Sequence, residues 1–174
     1  MLIVMAGLPG CGKSTLAREL AERLPAVVLD KDPIRAALFP APYIEYSTEQ
    51  DDFCVDVMLQ VAAYLLGRHP DLHVILDGRP YARRYQVQRL DRWSSEHRTT
   101  IRMIECVCPE RVAVRRLKDD AEEQAHYAEN RNHALYRRLA HEFEPIREPK
   151  LIVNTDRPFE DCLQRCLAYV RGEL

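Results

Sequence analysis

Gly7-Leu8-Pro9-Gly10-Cys11-Gly12-Lys13-Ser14 is a complete G-x-x-x-x-G-K-[ST] loop, and it sits in the context that the motif requires. Residues 2–6 before it form a short apolar run suited to a buried parallel strand. After it, Leu16, Leu20 and Leu24 recur at helical spacing. Gly7, Gly10 and Gly12 permit backbone conformations closed to other residues, so successive N–H groups can turn inward around a polyphosphate. A helix beginning at the loop presents its unpaired N–H groups and the positive end of its dipole to the same anion. Lys13 supplies a charge for the β- and γ-phosphates, and the Ser14 hydroxyl can ligate Mg²⁺. Cys11 and Thr15 complete the stretch expected against the nucleotide. The pattern predicts binding of a nucleoside triphosphate.

Composition bounds what surrounds this loop. At 174 residues the chain is expected to form a single domain, 1–174, with a substantial core. A formal net charge of −2 excludes a globally basic nucleic-acid or membrane binder. The apolar start is interrupted at Gly7, too soon for a signal peptide or a membrane span. A cytoplasmic location is the expectation. Of the six cysteines, Cys106, Cys108, Cys162 and Cys166 lack C-x₂-C spacing, so free, reduced thiols are expected rather than a zinc site. Cys11 differs: a helix N-terminus lowers a thiol pKa, and bound nucleotide would cover it.

Along the chain, apolar runs at 26–30, 73–77, 99–107 and 151–153 read as further strands alternating with helices. Five such strands predict an α/β fold with a doubly wound parallel sheet. The second strand ends in Asp30-Lys31-Asp32-Pro33-Ile34-Arg35, two carboxylates where open α/β sheets place active sites. Asp32 also precedes Pro33 at a helix start, so it can serve as an N-cap as well. Tyr43 and Tyr46, in the proline-rich loop 39–46, are candidates to stack on an acceptor. Ser47-Thr48-Glu49-Gln50 predicts a capping box. It opens a helix to about Arg68, with Phe53, Val57, Val61 and Leu65 on one apolar face and Cys54, Met58 and Ala62 beside them. Asp51, Asp52 and Asp56 are expected on its solvated side.

The third strand ends in Asp77-Gly78-Arg79. An apolar run closing on Asp is what a Walker B carboxylate looks like, reaching Mg²⁺ beside the phosphate loop, and Arg79 is then near the phosphates. Arginines interleave with aromatics at 81–93, and Arg83 and Arg84 are candidates for a phosphate on the acceptor. After the fourth strand, helix, polar excursion and helix predict a lid over about 115–133, with Arg115, Arg116 and Arg131 as candidates to neutralise a transferring phosphoryl group. No N-K-x-D guanine motif of the GTPase type occurs.

Taken together, the phosphate loop, Asp30-x-Asp32-x-x-Arg35, Asp77 and the arginine-rich lid resemble the P-loop kinases that include polynucleotide 5′-kinases, zeta-toxin-like kinases and small AAA-family ATP-binding proteins. The resemblance implies strand order 2-3-1-4-5, with ATP and Mg²⁺ as cofactors and an alcohol as phosphoryl acceptor. It also implies that Asp32 is the general base, with Asp30 as the alternative and as a possible metal ligand, and that Arg35 binds acceptor phosphate. The absence of overall basic charge leans toward a small-molecule or nucleotide-type acceptor over a nucleic-acid 5′-end. A nucleotide-gated module without chemistry is the reading from another class.

Overall fold

The computed structural model describes residues 1–123 and 133–174. Its strands are β1 (Leu2–Ala6), β2 (Ala26–Asp30), β3 (His73–Asp77), β4 (Ile101–Val107) and β5 (Lys150–Asn154). They pair all-parallel in the order β2-β3-β1-β4-β5, the expected doubly wound sheet in the predicted order. The helices are α1 (Lys13–Arg23), α2 (Lys31–Leu38), α3 (Thr48–Arg68), α4 (Arg84–His97), α5 (Glu110–Glu123), α6 (His133–His141) and α7 (Phe159–Arg171).

β1 is the central strand, and its side chains are shielded on both faces. Because successive residues of a strand point to opposite sides, its five residues divide between two cores. Ile3 and Met5 join Leu16 and Leu20 of α1 and Leu163 and Leu167 of α7. Leu2, Val4 and Ala6 join Val55, Met58 and Leu59 of α3 and Val87 and Leu90 of α4. A parallel sheet covered on both faces needs strands that are apolar throughout, as β1 is. Among the described residues no helix is long and apolar enough to cross a membrane.

α3 starts as expected at Ser47, whose side-chain oxygen accepts from the Gln50 amide at 3.1 Å. The reciprocal half of the capping box does not form: the Gln50 side chain accepts from Glu45 N at 2.8 Å and donates to Tyr43 O at 2.9 Å, tying down the preceding loop. The buried face of α3 also differs from expectation. Cys54, Val55, Met58, Leu59 and Ala62 are buried, whereas Phe53, Val61 and Tyr64 are exposed. The apolar positions form a band wider than one face, and period alone does not say which edge meets the sheet. The two edges should therefore differ on truncation. Met58→Ala should cost about 2–5 kcal/mol of unfolding free energy and Val61→Ala less than about 1 kcal/mol. Urea denaturation checks this, and the reverse ranking would contradict the packing.

Candidate active site

All five strands point their C-terminal ends to one edge, where open α/β sheets hold ligands. The phosphate loop rises there from β1. Gly7 turns at φ +119°, and its amide donates to Pro80 O at 3.0 Å. A Cβ on Gly7 would lie 2.1 Å from Cys106 O, and one on Gly10 (φ +75°) would lie 2.5 Å from Ala113 O. The loop is thus pressed against the end of β4 on one side and α5 on the other. Gly12, in the left-handed region, occupies the N-cap of α1 with no side-chain cap, so the first helix amides remain open to an anion. Lys13 is largely buried and reaches back across the loop, donating from Nζ to Leu8 O at 2.9 Å. Ser14 is half-buried and Thr15 exposed.

Beside the loop, Asp30 of β2 pairs in register with Asp77 of β3. Asp77 is 2% exposed, and its Oδ1 is buried with no hydrogen-bond partner among the described residues. A buried carboxylate oxygen left unsatisfied is costly, so this atom fits a cation that arrives with a ligand. Mg²⁺ suits it, since that ion is commonly held by one or two carboxylates together with substrate phosphates. No cluster of three or more metal-binding side chains occurs among the described residues. Asp30 and not Asp32 is the N-cap of α2: its Oδ1 accepts from the Asp32 amide at 3.1 Å. The cap belongs to the last strand residue because α2 begins at Lys31, before Pro33.

The first turns of α2 and α3 meet in a charged cluster that the sequence reading missed. Asp51 was expected in solvent, yet it accepts from Lys31 Nζ at 2.6 Å and pairs with the buried Arg35 guanidinium. Arg35 also donates from Nη1 to Asp32 Oδ1 at 2.9 Å and lies 5.1 Å from the Tyr46 ring centroid. Asp52 likewise faces inward, 2.6 Å from Nη1 of the buried Arg79, and accepts from Tyr85 Oη at 2.9 Å. Asp56 pairs with Arg89. Burial pushes the Lys31 ammonium down to about 8, with the Arg35 and Arg79 charges adding and Asp32 opposing. Arg79, expected near the phosphates, is committed to Asp52. The signal for this cluster was available as D-K-D-P-I-R followed by D-D one helix later, but only the fold places α2 against α3.

Arg83 pairs with Glu142 at 2.5 Å. With Arg84, Arg147, Tyr85 and Gln88 it lines an open groove of about 770 Å³. The predicted lid arginines separate. Arg116 points to the phosphate loop: Nη1 donates to Thr155 Oγ1 at 3.0 Å and Nη2 to Thr155 O at 2.8 Å, while Thr155 Oγ1 donates to Cys11 O at 3.1 Å. Arg115 is exposed and lines a different groove, between α5 and α6, with Arg111, Lys118 and Arg137. Arg131 lies outside the described residues, as does much of the lid expected over 115–133. Cys11 is a further difference from expectation. Its thiol pKa is raised, first by hydrogen bonding with Cys108 and then by burial, which outweigh the nearby Lys13 charge.

With the geometry in place, the comparisons with known proteins agree. The sequence profile of the AAA domain family matches residues 2–146, and the chain belongs to that family. Its fold is that of the P-loop kinases. A Chloroflexus aurantiacus protein thought to be a kinase superposes with a TM-score of 0.74 at 22% identity, covering 99% of this chain and 97% of that one. The Mycobacterium tuberculosis APS kinase CysC, solved with AMPPNP and APS, gives 0.69 at 19% identity, covering 98% and 96%. A gluconokinase from Sinorhizobium meliloti 1021 gives 0.68 at 16% identity, covering 98% and 91%. At such identities the likeness shows the fold. No curated protein matches the sequence.

The cluster between α2 and α3 makes a stability prediction. Asp51→Asn leaves Lys31 and Arg35 buried with one carboxylate fewer and should cost about 3 kcal/mol or more. Asp56→Asn, at a more exposed pair, should cost less than about 1 kcal/mol. Equal, small losses in urea unfolding would contradict the buried cluster.

Proposed function

We propose that this chain transfers the γ-phosphate of Mg·ATP to an alcohol, most simply that of a small molecule or nucleotide-type metabolite. One observation carries the reading. A phosphate loop with open helix amides adjoins a buried carboxylate oxygen of Asp77 that has no hydrogen-bond partner among the described residues, at the same sheet edge. Asp32, held by Arg35, stands in the first turn of α2, directly after the strand that pairs with β3. That arrangement supports phosphate binding on one side and a proton acceptor on the other. The kinase neighbours support the same chemistry.

In this reading the loop amides and the α1 N-terminus hold the β- and γ-phosphates. Lys13 exchanges its bond to Leu8 O for a phosphate oxygen, which places a charge where negative charge gathers in the transition state. Ser14 and Asp77, with Asp30 adjacent, would hold Mg²⁺, which supplies charge neutralisation on the phosphates and alignment of the reacting oxygens. Asp32 accepts the proton of the acceptor hydroxyl as its oxygen bonds to the γ-phosphorus and the bond to the ADP oxygen breaks. Arg35 fixes the Asp32 carboxylate by its hydrogen bond and is itself held in place by Asp51. Arg116, and Arg115 or Arg131 from the lid, are the candidates to meet the transferring phosphoryl group. Residues 1–174 are read as one catalytic unit.

A second reading, a 5′-hydroxyl end of nucleic acid as acceptor, is favoured by the groove at Arg83, Arg84 and Arg147. Arginines beside an aromatic side chain suit a single strand.

The test is transfer of labelled γ-phosphate to a panel of 5′-hydroxyl oligonucleotides, nucleosides, nucleotide sugars and hydroxylated small molecules. Label should appear on one acceptor class with the wild type and on none with Lys13→Ala. Asp32→Ala should retain ATP binding and lose turnover by about 10²–10⁴-fold. Near-normal turnover would remove Asp32 as the base. ATP binding with no labelled acceptor would favour a nucleotide-gated module.

A further inference from the structure

Cys11 and Cys108 stand 97 positions apart in sequence, yet their sulfurs are 3.4 Å apart. Cys11 lies within the phosphate loop and is 2% exposed. Cys108 follows β4, is half-buried, and also lies 3.9 Å from Gly10 O. No other cysteine bonds to either thiol among the described residues, and the other four are buried. We propose that Cys11 and Cys108 form a reversible disulfide that locks the phosphate loop and closes the nucleotide site.

The surroundings fit such a pair chemically. Cys108 is brought down to about 7, chiefly by its hydrogen bond with the Cys11 thiol, with the Arg116 charge and the Thr155 hydroxyl adding to it. Cys108 is therefore the more readily ionised and the more accessible sulfur, the combination that oxidants select. With a peroxide as oxidant the step balances. The Cys108 thiolate attacks one oxygen of the peroxide and the O–O bond breaks. The attacked oxygen stays on sulfur as the sulfenic acid, and the other leaves as hydroxide that is protonated to water. The Cys11 sulfur then displaces hydroxide from Cys108, releasing a second water as the S–S bond forms. A dithiol reductant returns both thiols.

Closure of the site follows from the lack of slack in the loop. A disulfide requires the sulfurs at about 2.05 Å, so they must approach by more than an ångström. Gly10 and Gly7 are packed so closely that a Cβ on either would overlap Ala113 O or Cys106 O, and Cys11 O is held by Thr155. The loop cannot shift as a rigid body toward α5. The pull on Cys11 is absorbed by rotation of the peptides around Gly10 and Gly12, the same peptides whose N–H groups must converge on phosphate.

The effect on ATP rests on the nucleotide-binding reading above, so the experiment separates the two. The purified full chain is treated with hydrogen peroxide and mapped without reduction, and ATP affinity is measured before oxidation, after it, and after dithiothreitol. The expected result is a Cys11–Cys108 cross-linked peptide. ATP binding should weaken at least about ten-fold, equivalent to ~1.4 kcal/mol, and recover on reduction. Cys108→Ser should bind ATP as the wild type does and be insensitive to peroxide. Sulfinic acid at Cys108 without a cross-link, unchanged affinity in the cross-linked protein, or equal peroxide sensitivity of Cys108→Ser would each overturn the proposal. Failure of the reduced wild type to bind ATP would overturn the nucleotide reading, and the cross-link map would still decide whether the disulfide forms.

Discussion

The contact on which the site depends is the close backbone approach at Gly7 and Gly10, where the phosphate loop is seated between the end of β4 and the first turns of α5. Gly7 and Gly10 are there because a Cβ would meet Cys106 O or Ala113 O at well under contact distance. Their positive φ values turn the chain sharply enough for α1 to begin at Lys13, directly after its N-cap Gly12. The rest of the fold serves this seating. β1 is shielded on both faces by two cores, so it cannot shift relative to β3 and β4. Thr155, beyond β5, fastens Cys11 O from the far side. A loop held this way is already shaped before the ligand arrives, and little reorganisation is required when charge develops.

Around that rigid loop, charge is distributed unevenly. Toward β2 and α3, nearly every cation has an internal carboxylate: Lys31 and Arg35 with Asp51, Arg35 with Asp32, Arg79 with Asp52. Such pairs contribute little net stability when formed, because desolvation offsets attraction, but they are costly to break from one side. Their value here is positional. They orient Asp32 and hold α2 against α3. Nearer the surface, Arg83, Arg84 and Arg147 line an open groove, with Arg83 paired to Glu142.

How much of this was legible in the sequence depended on whether the signal was local. The phosphate loop, the strands and the Walker B-like Asp77 are readable from neighbouring residues, because each needs only an apolar run with a defined end. Strand order came from resemblance, and the pairing agrees. Most of the misreadings share a cause, which is that contacts between distant segments leave no local trace. Asp51 and Asp52 look like solvated helix residues until α2 and β3 bring Lys31, Arg35 and Arg79 to them. Cys108 looks like the tail of a strand until the loop places Cys11 beside it. For α3, the apolar band was visible and the choice of buried edge was not. Asp30 shows a smaller limit: the sequence reading put the cap at Asp32, before Pro33, and the start of the helix at Lys31 moves it to Asp30.

The most direct measurement is a crystal structure of the chain grown with Mg²⁺ and AMPPNP. The account predicts the β- and γ-phosphates inside the loop on the α1 amides, Lys13 Nζ moved from Leu8 O to a phosphate oxygen, and Asp77 Oδ1 satisfied by the metal or a water bound to it. Phosphates lying outside the loop, with Lys13 still on Leu8 O and Asp77 still unpartnered, would contradict it.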